Sequence, residues 1–362
     1  MSGAVRACAA CLGRSHLLAL VAGHLDKVRA QIDELLTLAD KELLEATAGN
    51  RREALRDSMR RFDPEQALAR IERSGLEAIC RCDASYPPQL AELEAPPAVL
   101  HVAGGLDTVV GVAAGEPVAI VGSRRASAYG LEVARSLGRA LSVAGVPVIS
   151  GMALGIDSAA HEGALAGTAP TLAVLPAGAE RAYPASARSL HRRIVAQGAV
   201  LAELPPETHV RRWMFPARNR LIAALARMTV VVEAASGSGA LLTASLAARL
   251  GRRVGAVPGH ITSPQAAGCH ALITGGARLV SGAEDILDAV YGAERAGVAI
   301  DCRPSLDSVH AALLEALALG EDAALAAARA GVSPQDGLAG LAWLELSGYV
   351  RRGAGGRYTV VA

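Results

Sequence analysis

Two periodicities divide this chain. From the start to about residue 75, apolar positions recur every three or four residues with charges between them, as in LLALVAGHL, VRAQIDELLTLADKELLEA and EALRDSMRRF. That spacing predicts amphipathic helices, and nothing in them points to chemistry, so a structural or interaction module is expected. From about residue 85 to 292 the pattern becomes short unbroken apolar runs separated by helical stretches. The runs are AVLHV (98–102), VAIVG (118–122), VPVIS (146–150), TLAVL (171–175), AVLAEL (199–204), TVVVEAA (229–235), RVGAVPG (253–259) and ARLVSG (277–282). Runs without alternation fit strands buried on both faces. Strand–helix alternation then predicts a mostly parallel α/β sheet with helices on both sides, too open and too short in repeat count for an eight-fold barrel. The stretch RAGVAIDCRPSLDS (295–308) carries breakers and reads as a linker. Beyond it, helices, a Gly turn, a further helix and the hairpin YVRRGAGGRYTVV predict a winged helix. The expected domains are a helical domain over 1–84, an α/β domain over 85–292, a linker over 293–305 and a winged-helix-like domain over 306–362.

Composition sharpens this picture in two places. The formal net charge is +1, so nucleic-acid binding would have to come from local charge. Between residues 117 and 220 there are 12 Arg and six acids, a local balance of +6. Lys27 and Lys41 are the only lysines, so every later cation is a planar fork suited to phosphate or carboxylate. The tail lacks this bias. Its candidate recognition helix, Pro334 to Leu346, carries Asp336 and Glu345 and no Arg or Lys. A protein-contact or structural role is expected there, with Arg351, Arg352 and Arg357 of the wing keeping a weaker nucleic-acid reading open. No signal peptide and no membrane-spanning run is read, and a cytoplasmic location with reduced thiols is expected. Cys8-x-x-Cys11 with His16 resembles half a zinc site, but Cys80-Arg81-Cys82 has the wrong spacing for a standard knuckle. The cysteines are read as small apolar residues on a helix, and neither a metal nor a cofactor is expected.

The chemically unusual residues follow the strand candidates. VAIVG runs into Ser123, Arg124 and Arg125; VPVIS into the Gly151–Gly155–Asp157 loop; VVVEAA into Ser238 and Gly239 at a helix start. In an open parallel sheet these turns share one rim, where Gly and Ser leave backbone N–H groups free and helix starts add positive charge. Such a rim suits phosphate. The Gly151/Gly155 loop lacks the spacing of a dinucleotide site. Asp157 and His161, four apart, read as a helix-start carboxylate and a half-buried histidine. Ser150, Asp157 and His191 have no nucleophile-elbow spacing to support a triad. Glu233 ends a strand near the rim and could orient loop amides. The segment WMFPARNRLIAALARM (213–228) adds Trp213 and Phe215 beside Arg211, Arg212, Arg218 and Arg220, in a chain with two Trp and two Phe. Aromatic faces beside Arg forks are how single-stranded nucleic acid is held; a buried aromatic plug with surface arginines is the other reading.

At VAIVGSRRASAYG, VISGMALGIDSAAHEGAL, FPARNRLIAAL, VVEA with SGALLTA, and GRRVGAVPG with GCHALI, the sequence resembles the DNA-processing protein A (DprA/Smf) family. YPPQL and PPAVLHVAG extend the likeness, which covers about 85 to 290. The resemblance implies an extended Rossmann-like domain that binds single-stranded DNA, is not an enzyme, forms a homodimer, binds RecA and loads it onto incoming strands in natural transformation and recombination. By motif match the DNA-binding residues would be Ser123, Arg124, Arg125, Ser150, Gly151, Gly155, Asp157, Phe215, Arg218, Asn219, Arg220, Ser238, Gly239 and Thr243. The chain departs from the family at Ala235–Gly237, where a cation is usual, and at Ala240, His270 and Met214. The competing class is a phosphoribohydrolase-like nucleotide-processing enzyme with Glu233 as acid or base. Its usual Pro-Gly-Gly-x-Gly-Thr stretch is missing, since Pro258-Gly259 is followed by His260.

Overall fold

The computed structural model describes residues 5–292, 306–353 and 356–360. The expected linker at 293–305, with Cys302, lies outside the described residues. The chain divides into two compact units, residues 1–300 and 301–362.

The first unit opens with strand β1 (Val5–Arg6) and helices α1 (Ala9–Leu25), α2 (Ile32–Thr37), α3 (Asp40–Ala48), α4 (Arg52–Arg60) and α5 (Pro64–Arg73). Strand–helix alternation follows: β2 (Glu77–Cys80), α6 (Pro88–Ala91), β3 (Val99–Ala103), α7 (Leu106–Ala114), β4 (Val118–Val121), α8 (Ala128–Val143), β5 (Val148–Ser150) and α9 (Ile156–Ala164). It continues through β6 (Thr171–Leu175), α10 (Arg188–Gln197), β7 (Ala199–Ala202), α11 (Met214–Leu225), β8 (Met228–Val231), α12 (Gly239–Arg249), β9 (Arg253–Ala256), α13 (Ala267–Thr274), β10 (Arg278–Leu279) and α14 (Ala283–Tyr291).

The ten strands form one sheet in the order β1-β2-β3-β7-β6-β5-β4-β8-β9-β10. Only β3 runs against its neighbours; every other pairing is parallel. All eight apolar runs of the sequence fall on β3 to β10. Alternate residues of the same run serve opposite faces: Ala119 and Val121 join one core, Val118 and Ile120 another. That is why these strands read as continuous hydrophobic stretches. Two strands were not legible. β1 lies within the segment that reads as helical and β2 just past its end, inside the expected helical domain of 1–84, and they extend the sheet beyond β3.

Helices α1 to α4 share one hydrophobic core with Trp213, to which Leu17, Leu18, Val21, Leu25, Leu43 and Leu55 contribute. Among the described residues no helix is long and apolar enough to cross a membrane. The second unit holds helices Ser308–Ala318, Ala323–Arg329 and Pro334–Leu346, then an antiparallel pair Val350–Arg352 and Tyr358–Val360. Its core gathers Leu313, Leu317, Leu341, Leu344 and Tyr349.

Two histidines are sealed in the first unit. His101 on β3 meets the Ser15 hydroxyl of α1 at 3.3 Å through Nε2, and His161 on α9 meets Thr171 at 2.8 Å through Nδ1. His161 is therefore fully buried, not half-buried as the sequence suggested. The second ring nitrogen of each has no protein partner among the described residues. Burial pushes both down to about 3 from the ordinary 6.5. Between those values the unfolded chain binds more protons than the folded one, so stability falls as pH drops through that window. Each histidine is expected to contribute a slope of up to about 1.4 kcal/mol per pH unit. Urea unfolding followed from about pH 7 to about pH 4.5 checks this. The double variant His101→Gln, His161→Gln should show a shallower decline, and an unchanged slope refutes the assignment.

Candidate functional site

Ligand crevices in open parallel sheets form at the carboxyl edge where the connections change direction. Here the chain leaves β4 toward β5 on one side and returns as β8 on the other. A cleft of about 480 Å³ opens at that point. Ser123, Arg124 and Arg125 follow β4 into its wall, Ala153 and Asp157 follow β5, and Ser238, Gly239 and Thr243 bring in the start of α12. Phe215, Pro216, Arg218 and Asn219 of α11 complete it.

The arginines have three different fates. Arg218 is buried, and its Nη1 donates to the carbonyl of Gly151 at 2.7 Å and to that of Val174. It thus ties α11 to the ends of β5 and β6. Burial pushes its guanidinium down to about 10, against the pull of Asp157. Burial likewise raises the Asp157 carboxyl, opposed first by Arg218. Arg220 is turned away from the cleft. Both its terminal nitrogens bond Glu203, at 2.7 and 3.0 Å, in a pair whose side chains are 8% and 10% exposed. Arg124 and Arg125 are exposed. The Arg124 guanidinium lies over the Phe215 ring, 4.8 Å from its centroid, and the Tyr183 ring approaches Phe215 at 5.5 Å.

The two aromatics of the 213–228 segment therefore separate. Trp213 is the plug: only 1% exposed, it donates from Nε1 to the Ala22 carbonyl at 3.0 Å, and its amide bonds Asp26 at 3.2 Å. Phe215, half-buried, faces the cleft.

The loops are shaped by close approach. Gly155 has φ +82°, and a Cβ there would lie 2.3 Å from the Ser123 carbonyl oxygen, so only glycine fits. A Cβ on Gly151 would lie 2.4 Å from Arg218 Nη1. Ser123 accepts from the Arg125 amide at 3.1 Å, and its own amide donates to the Glu233 carbonyl at 2.7 Å. The Glu233 carboxylate accepts from the amide and the hydroxyl of Ser127, which caps α8. Glu233 orients the Ser123–Ser127 loop, one of the roles the sequence offered. Ser238 caps α12 by accepting from the Ala240 amide at 3.3 Å, and the helix start opens on the cleft.

Of the fourteen residues expected to bind DNA, Ser123, Arg124, Arg125, Asp157, Phe215, Arg218, Asn219, Ser238, Gly239 and Thr243 line the cleft. Gly151 and Gly155 do not line it, and act through the close approaches described above. Ser150 and Arg220 do not reach it: the Ser150 hydroxyl donates to the Ile120 carbonyl at 2.6 Å. The triad fails on the same ground, since His191 bonds the Ala179 carbonyl at 2.9 Å. Sequence reasoning missed Tyr183; its only signal was the scarcity of aromatics.

A family model for DNA recombination-mediator protein A matches residues 77–291. The putative DNA processing protein DprA of Mycobacterium tuberculosis is 44% identical over 240 residues, 64% of this chain and 61% of that protein. The chain thus matches about three fifths of that relative's length. The DNA processing protein DprA of Bacillus subtilis is 34% identical over 237 residues, covering 65% of this chain and 79% of its own. Among solved structures, DNA processing protein A from Streptococcus pneumoniae superposes with a TM-score of 0.63 at 29% identity, over 77% of this chain and 96% of its own. The protein of the same name from Helicobacter pylori, described for its unique single-stranded DNA binding mode, gives 0.53 at 25% identity, over 60% of this chain and 96% of its own.

The different fates of the arginines predict different costs. Arg220→Met leaves Glu203 buried without its partner and should lower unfolding stability by about 3–5 kcal/mol. Arg124→Ala should change it by no more than about 0.5 kcal/mol. Urea unfolding of both variants checks this; equal costs would overturn the assignment of Arg220 to the framework.

Proposed function

The chain belongs to the DNA recombination-mediator protein A family, and from that premise we propose that it binds single-stranded DNA in the cleft between β4 and β8. The observation that carries this reading is the exposed Arg124 guanidinium lying over the Phe215 ring. Together they form a flat cationic platform on which an unpaired base can stack, on the ring or on the guanidinium plane. Arg125, the loop amides after β4 and the start of α12 lie along the same wall and suit the phosphates of a strand.

The finer reading is that the bound strand is handed to a recombinase, RecA, during natural transformation, and that the protein works as a cytoplasmic homodimer without a cofactor. It rests on the family's description as a recombination mediator and on the sequence resemblance. The tail fits a protein contact: its helix Pro334–Leu346 exposes Leu338 and Leu346 and carries no cation. The competing enzyme reading needs Glu233 available as acid or base, whereas both its oxygens are engaged by Ser127.

Anisotropy of labelled oligo-dT across a salt series tests the binding. Arg124→Ala should weaken affinity irrespective of sequence and reduce the slope of log K on log salt by about 0.7. Phe215→Leu should cost about 1–3 kcal/mol with the slope unchanged. Wild-type affinity and slope in both variants would sink the reading.

A further inference from the structure

Cys8, Cys11, Cys80 and Cys82 form a cluster that the cleft does not use. The fold brings together what the spacing kept apart. β1 runs parallel beside β2, pairing Arg6 with Ile79, so the chain just past β1 lies against the end of β2. Cys8 immediately precedes α1 and Cys11 sits in its first turn, while Cys80 ends β2 and Cys82 lies in the turn beyond. The four sulfurs all lie within 4.8 Å of one another. His16 is not among them; its ring stacks on Phe62 at 4.8 Å.

Packing does not explain this convergence. Cys11 and Cys80 are buried, as small apolar residues would be, but Cys8 and Cys82 are exposed, and their thiols still turn to the same point. Nor are these disulfides. The Cys11 and Cys82 sulfurs are 3.7 Å apart, against about 2.05 Å for a bond. A tetrahedron of thiolates about 2.3 Å from a zinc ion has edges of about 3.8 Å. The Cys8 amide also points at the Cys80 sulfur, 3.4 Å away, the outer hydrogen bond that steadies a metal-bound thiolate.

We propose that these four cysteines bind a single structural zinc ion. Four thiols lose their protons to solvent and Zn²⁺ joins four thiolates, leaving a net charge of −2 with no redox change. Sulfurs this close surround one ion rather than a multi-iron cluster, whose own bulk holds its ligands farther apart. Thiolates also bind zinc above ferrous iron. The role follows from the connections. The ion joins the start of α1 to the end of β2 across 71 residues of chain, from Cys11 to Cys82. The far end of α1 carries Ala22 and Asp26, which hold Trp213 at the head of α11. The zinc thereby fixes one end of the strut that braces the Phe215 corner.

The site stands independently of the DNA reading, and its test needs no DNA. The 362-residue chain expressed with zinc and purified under reducing conditions should carry one zinc per chain by mass spectrometry of metals. A mercurial should release it in step with thiol titration, and cobalt replacement should give the intense sulfur-to-metal charge-transfer bands of a tetrahedral thiolate site. Cys82→Ser, at an exposed position, and Cys8→Ser with Cys82→Ser should lose the metal and lower Tm. Cys269→Ser, buried elsewhere, should keep it. The proposal is overturned by wild-type protein that holds no zinc after reconstitution, by iron with acid-labile sulfide, by a disulfide within the cluster, or by zinc that persists in the double variant.

Discussion

The cleft depends on one buried guanidinium. Arg218 reaches from α11 to the carbonyls that end β5 and β6, and it fixes the helix against the rim of the sheet. Those carbonyls stand where β5 and β6 stop pairing with each other, after Ser150 and Ala173, and losing the donor would cost about as much as a lost hydrogen bond each. The contact is possible because residue 151 has no side chain. Once Arg218 is seated, Phe215 and Asn219 on the same helix wall the cleft. The resemblance put Arg218 in the DNA pocket, and it does line the cleft. Its hydrogen bonds nonetheless go to the protein. Replacing it would release the helix as well as remove a charge, so Arg124 is the cleaner probe of ligand binding.

Much of the α/β sheet was legible because its strands are buried on both faces and separated by helices. A run such as TLAVL has no other economical reading in that context, and it became β6. β1 and β2 escaped for the opposite reason. One is two residues long, the other four, and they pair with each other across some seventy residues of chain. The rim was legible from the Gly, Ser and Arg that follow the strands. Which arginine faces solvent was not. Arg218 and Arg220 are two apart on a helix and identical in composition, yet one reaches the strand ends and the other an acid on the far side. Helical phase and the position of Glu203 decide that, and neither is written in the local sequence. Trp213 and Phe215 separate in the same way, one among the N-terminal helices and the other in the cleft.

The cysteines show a further limit. Motif spacing identifies a metal site when both ligand pairs sit on local knuckles, and Cys80-Arg81-Cys82 does not. Here the geometry comes from a strand pairing and a helix start, so only the fold reveals that four thiols meet. Distance in sequence, which hid the cluster, is also what would make a metal there effective. Holding residues so far apart removes more freedom from the unfolded chain than a local knuckle would.

Two carboxylates in the neighbourhood of the cleft need not defeat anion binding, because of where they point. Glu233 turns both oxygens toward Ser127, at the amino end of α8, where the helix favours negative charge. Gly130 makes room for it: a Cβ there would lie 2.4 Å from the Glu233 carboxyl carbon. Asp157 accepts from the Ala153 amide and is 6% exposed. Glu233 acts on its loop from outside the cleft lining, and Asp157, although it lines the cleft, is mostly buried against the Ala153 amide, while Arg124 and Arg125 are exposed. A cleft built this way can be attractive to anions although the whole chain carries a formal charge of only +1. Its field is set by which charges reach solvent at the rim, and screening confines that field to about a Debye length of the wall.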